Sequence, residues 1–154
     1  MFKIYWKHFK VIIKHKWYVF KECFKHGLYW QGIIHDLSKF SITEFSESAK
    51  YFQGNKSPIT ASKEKNGYSY AWLNHKAKNK HHWDYWVDFV EGLPVAVNMP
   101  DKYIKEMACD MIGASKAYKN GQPLEYFYKN SYRWIMKKED KLKLETYLKE
   151  WSKK

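Results

Sequence analysis

The side chains best suited to chemistry are imidazoles and carboxylates set inside apolar runs. In Gly32-Ile33-Ile34-His35-Asp36-Leu37 an adjacent histidine and aspartate interrupt a hydrophobic stretch. An ionised carboxylate in such surroundings must be paired, hydrogen-bonded or coordinated to a cation, and neighbouring helix positions flank one ion from two directions. Asp110 repeats the pattern within Glu106-Met107-Ala108-Cys109-Asp110-Met111-Ile112-Gly113-Ala114. The inner face of that helix needs Ala108 or Met111, which places Asp110 at or beside the buried side. Three of the seven histidines, His75, His81 and His82, fall within eight residues. On the first helix His8, His15, Glu22 and His26 form a narrow line between a lysine stripe and an apolar face. Plainer readings stand beside these: interfacial histidines, a His-Asp pair bonded only to itself, a solvent-facing Asp110.

Along the chain, His15, the doublet His35-Asp36, the pair His81-His82 and Asp110 each lie on a different expected helix. This order resembles the HD-domain metal-dependent phosphohydrolase superfamily. The helical core of that superfamily supplies a first histidine, a His-Asp doublet, further histidines in some branches, and a late helical aspartate. His35-Asp36-Leu37-Ser38-Lys39 also looks like the doublet followed by lysine three positions on, with Ser38 where glycine is frequent. The run from His15 to Asp110, with its segments HDLSKF, GYSYAWLNHK and NKHHWDYW, is similar to a family of uncharacterised bacterial and phage proteins, over roughly two thirds of the chain.

The resemblance implies that His15, His35, Asp36 and Asp110 ligate one divalent metal. His81 or His82, with His75 as a further candidate, would serve a second metal bridged by Asp36, and Lys39 would hold substrate phosphate. Mixed nitrogen and oxygen ligands suit Mn²⁺, Fe²⁺, Co²⁺, Ni²⁺ or Zn²⁺ more than Ca²⁺. The expected reaction is hydrolysis of a small phosphoester, nucleotides among them, by water whose pKa the metal lowers to about 7, with Asp36 and Lys39 carrying it. The glycine-tyrosine-proline signature of cyclic-dinucleotide phosphodiesterases is absent after His81-His82, which argues against that substrate. Trp83, Tyr85 and Trp86 suit either base stacking or core packing.

These residues need helices to bring them together, and apolar spacings of three and four dominate the chain, with no period-two stretch of strand length. The expected fold is all-α: one compact bundle of about six to eight helices over 1–154, HD-domain-like, with its core at 10–120 and C-terminal helices at 123–152. A first helix covers 2–26 and stops at Gly27; a short one follows over 29–37. Ser41-Ile42-Thr43-Glu44 has capping-box spacing and opens a helix reaching 52. Residues 53–67 read as a surface loop. Further helices are expected over 68–78, 82–90, 100–119 (stopping at Asn120-Gly121), 123–136 and 138–152, with a connector around Gly92, Pro94 and Pro100. If Asn79-Lys80 breaks the chain, His81 and His82 open a new helix and point away from His75.

Composition sets the competing classes. With 45% hydrophobic and 19% aromatic residues in 154, the chain can bury a core. No apolar run is long enough for a membrane span, and Cys23 and Cys109 lack disulfide-framework or zinc spacing, so a reducing cytoplasm is expected. The net charge of +12 raises nucleic acid or an anionic membrane surface as partners. Arg133 is the sole arginine, however, and bidentate phosphate recognition favours arginine, so a small phosphorylated substrate is preferred. The alternatives are a metal-stabilised binding protein without catalysis, and a basic module for nucleic acid or membrane surfaces. Oligomeric state is not specified by any of these features.

Overall fold

Helix α1 (Phe2–Lys25) turns Ile12, Val19 and Cys23 inward and most of its lysines outward, then ends at Gly27, whose φ of +73° suits a residue without Cβ. The computed structural model describes residues 2–54, 56–119 and 121–153. Helix α2 (Tyr29–Ile34) folds back on α1, with Gly32 against Cys23 and Phe24. The expected helix over 29–37 breaks at the doublet: His35 and Asp36 form a turn, with Asp36 left-handed at φ +55°, ahead of a 3-10 turn at Leu37–Phe40. Lys16 fastens this break to α1, donating to the carbonyls of Ile33 at 2.8 Å and His35 at 2.7 Å, groups that the ending helix leaves free.

Helix α3 (Ile42–Lys50) starts as its cap spacing predicts, Ser41 Oγ accepting the Glu44 N–H at 3.4 Å, but the Glu44 side chain reaches elsewhere. The stretch 53–67 is not wholly loop. Its second half forms helix α4 (Pro58–Asn66), entered by proline in the first turn and ended by Gly67 at φ +80°. Helix α5 (Tyr70–Lys78) begins at Ser69, whose hydroxyl accepts from the Trp72 N–H at 3.1 Å.

The expected helix at 82–90 is replaced by a 3-10 turn at Trp83–Trp86 and an antiparallel hairpin, β1 (Val87–Val90) with β2 (Leu93–Ala96), which takes up part of the expected connector. Val87 pairs with Ala96 and Val90 with Leu93 across the two-residue turn Glu91-Gly92, both of whose φ angles are positive, at 51° and 80°. Such a turn matches the twist of paired strands, and the valines favour them.

Helix α6 (Asp101–Tyr118) crosses α1 in the most extensive helix contact of the fold. A Cβ at Gly113 would lie 2.6 Å from Val19 Cγ2 and 2.8 Å from the Val19 nitrogen, so only glycine permits this approach. Asn120, expected in the stop of this helix, lies outside the described residues. Helix α7 (Pro123–Asn130) is shorter than expected and passes into a 3-10 turn at Ser131–Arg133; α8 (Lys138–Trp151) packs Leu144 and Leu148 onto Ile104 and Ile112 of α6. Trp83 and Trp86 pack against this core. The architecture is all-α with one small hairpin, and among the described residues no helix is long and apolar enough to cross a membrane.

Candidate metal centre

The break at His35-Asp36 sits under α1 and beside α6, and that placement gathers side chains from five segments. From α1, His15 Nε2 lies 3.3 Å from Asp36 Oδ2 and 3.1 Å from Asp110 Oδ1. His35 Nε2 lies 3.3 Å from the same Asp36 oxygen and 3.4 Å from Asp110 Oδ1. The other Asp36 oxygen, Oδ1, faces His75 Nε2 from α5 at 3.3 Å and His81 Nε2 at 3.5 Å. Two donor sets result, His15, His35, Asp36 and Asp110, and Asp36, His75, His81 and His82, each with its ligand atoms within 4.8 Å of one another. Asp36 belongs to both. His81 and His82 do not point away from His75, because the chain turns at Asn79 and returns to the α5 face.

The donor atoms are hard to account for by protein contacts alone. The Nε2 atoms of His15, His35, His81 and His82 and both oxygens of Asp36 are buried without a hydrogen bond of proper geometry among the described residues. Their separations from one another are ion-pair distances of 3.1–3.5 Å between imidazole nitrogens and carboxylate oxygens. Buried polar atoms otherwise find partners nearly always, and a borderline set of nitrogen and oxygen donors suits a divalent transition metal. These residues could therefore hold a divalent metal ion.

A second tier of carboxylates orients the rings. Glu106 Oε1 accepts from His35 Nδ1 at 3.0 Å and from His81 Nδ1 at 3.1 Å, while Glu44 Oε2 accepts from His75 Nδ1 at 2.8 Å. Glu44 Oε1 also takes a bond from Asn74 Nδ2 at 2.7 Å. A carboxylate accepting at Nδ1 keeps a proton there and turns Nε2 toward the Asp36 carboxylate, where a cation would take the place of a second proton. Burial opposes the charged form of His35, but Asp36, Asp110 and Glu106 outweigh it and hold its pKa well above the usual range. For Asp36 burial is likewise overcome, by His35, Lys39 and His75, and its carboxyl is held well below the usual range; Asp110 is lowered by His15 and His35. Burial, with His81 and His75 adding to it, pushes His82 well down.

Lys39 pairs with Asp36 Oδ2 at 2.5 Å, and that carboxylate overcomes burial to raise the lysine pKa. A cavity of about 370 Å³ opens at this side of the cluster, where His15, Lys39, Asp110 and Tyr118 reach its wall. The boundary line on α1 thus divides its tasks: His15 enters the cluster, His8 lines the same cavity, Glu22 pairs with Lys116 at 2.6 Å, and His26 stacks on Trp151. Cys23 and Cys109 meet between α1 and α6 as free thiols and join neither donor set, the Cys23 contact and burial keeping Cys109 protonated.

All seven metal candidates of the sequence and Lys39 thus fall in one region. Sequence reasoning missed Glu44, which capping-box spacing drew to the helix end, and Glu106, whose four-residue separation from Asp110 on α6 was the available signal. A profile of a family of unknown function, DUF5662, matches residues 4–151. No curated protein and no solved structure matches the chain.

Proposed function

The chain belongs to this family of unknown function, and we propose that it is a divalent-metal-dependent phosphohydrolase of the HD-domain kind acting on a small phosphoester. The supporting observation is Asp36, buried between two sets of histidines with one oxygen toward each. His15, His35, Asp36 and Asp110 would hold one ion, and Asp36 with His75, His81 and His82 a second. The ions would supply Lewis acidity toward water and toward phosphoryl oxygens.

The protein's own groups do the rest. Glu106 and Glu44 fix the imidazoles so that they need not reorganise during reaction. Lys39, cationic at the cavity wall, holds the phosphate and exchanges part of its Asp36 pairing for that contact. Burial raises the Tyr118 phenol, so it meets the cavity as a protonated donor. The cavity at His15 and Asp110 leaves the cluster open on one side, whereas a purely structural metal site is closed, which favours the hydrolase over a metal-stabilised binding protein.

The test is metal analysis of untagged protein beside a phosphoester panel with added Mn²⁺ or Co²⁺. Bound transition metal and chelator-sensitive release of phosphate are expected. Fully metallated protein that turns over no phosphoester would sink the hydrolase and leave the binding protein.

A further inference from the structure

His8 is only 5% exposed, and neither of its ring nitrogens has a hydrogen-bond partner among the described residues. It lines the same cavity as His15, Lys39 and Asp110. Phe45 and Phe52 tilt against its ring at 5.4 and 5.2 Å, so a phenylalanine at position 8 would satisfy packing without burying two polar atoms. Packing therefore does not explain the imidazole.

Seven residues separate His8 from His15 on α1, which places them on one face about 10 Å apart along the axis. The cavity wall toward His8 includes Ile12, Phe52 and Ile59, and its volume of about 370 Å³ matches one small ligand. Of its two lysines, Lys39 is paired with Asp36 and serves the phosphate end, while Lys56 forms a part-exposed pair with Glu64. Away from Lys39 the cavity thus offers apolar surface, the side chains of Ser48 and Ser57, and one buried imidazole.

We propose that His8 is a specificity-determining residue that hydrogen-bonds a neutral donor-acceptor group on the organic part of the substrate, making nucleoside monophosphates the substrate class. The inference rests on the phosphohydrolase reading for the phosphate end, and on His8 alone for the nucleoside end. Burial and the nearby Lys39 charge bring the His8 pKa to about 4, consistent with a neutral ring having one donor and one acceptor. Such a ring matches a sugar hydroxyl or a base edge.

Calorimetric titration of metal-loaded protein with AMP, with adenosine and with inorganic phosphate tests this in wild type, His8→Phe and His8→Gln, beside KM and kcat for AMP. For His8→Phe, AMP and adenosine binding should weaken about tenfold, as for a lost hydrogen bond to a buried group, while phosphate binding stays within about twofold. KM for AMP should rise with kcat nearly kept, and His8→Gln, which retains a donor and an acceptor, should recover part of the loss. Adenosine binding that is absent in wild type or unaffected in His8→Phe overturns the proposal, as does equal loss of AMP and phosphate or a Gln variant no better than Phe. His8-dependent AMP binding without turnover of any phosphoester would uphold the nucleoside site and remove the hydrolase reading. Phosphoester turnover without adenosine binding would do the reverse.

Discussion

Asp36 carries two demands at once, a carboxylate facing five imidazole and lysine partners and a backbone at φ +55°. Asparagine and aspartate tolerate that left-handed conformation better than alanine does, so Asp36→Asn removes the charge while sparing the turn. In the proposed hydrolase, Asp36→Asn should lose metal and turnover together, whereas Lys39→Ala should keep its metal and raise KM about tenfold. Metal analysis beside steady-state kinetics separates the two, and equal metal loss in both would refute the separate role of Lys39. His8 gives a pH prediction. With its folded pKa near 4 and an unfolded value of about 6.5, the unfolded chain binds a proton that the folded chain refuses between those values. The neutral ring's contribution to stability is therefore intact above about pH 6.5 and is lost as pH falls toward 4. Urea midpoints from pH 7 to 4.5 should fall more steeply for wild type than for His8→Phe; parallel curves would show that His8 titrates normally.

At the scale of elements, the centre depends on how closely α1 and α6 approach, because His15 rides on one and Asp110 and Glu106 on the other. Gly113 sets that distance at Val19. The Gly113→Ala methyl meets backbone as well as side chain, and overpacking of this kind costs about 1–3 kcal/mol. We expect Gly113→Ala to lower the urea midpoint and, by moving α6 away from α1, to weaken metal binding although no ligand changes. A variant with wild-type stability and affinity would mean that the helices can separate there without disturbing the donors. The sequence told against seeing this crossing, since a glycine in a helical run reads first as a weak helix former and only a neighbouring helix gives it a purpose.

For the whole molecule, five chain segments contribute to one buried charged cluster, so metal binding and folding should be linked. A ligand that binds only the folded state at a free concentration 100 times its Kd stabilises by about 2.7 kcal/mol, or about 5–10 °C in Tm for a chain of this size. Added Mn²⁺ or Co²⁺ should raise the Tm of chelator-treated protein by about that amount, and Asp36→Asn should abolish the response. An equal rise in the variant would point to ions bound elsewhere on the surface. The donor atoms that lack hydrogen bonds make this cluster the place where removal of an ion would cost most.

Local patterns sufficed for the helical class, for Gly27 and Ser41 as helix boundaries, and for marking His35, Asp36 and Asp110 as polar groups in apolar runs, because helix periodicity and such interruptions are properties of neighbours in the chain; the grouping of His15 through Asp110 as one ligand set came only from the family resemblance. They failed where local propensity is weak or divided. Residues 58–66 have turn-rich composition but fold as α4, and 87–96 form a hairpin around a two-residue turn in a chain otherwise dominated by helix spacing. Tertiary structure alone decided that His35 and Asp36 occupy a break between helices, so that Asp36 offers one oxygen to each histidine set. It alone joined Glu106 to His35 across 71 residues and turned Glu44 from its expected cap toward His75. Those contacts are long-range, and the direction of a side chain across an interface is set by the packing of whole helices, which no local spacing records.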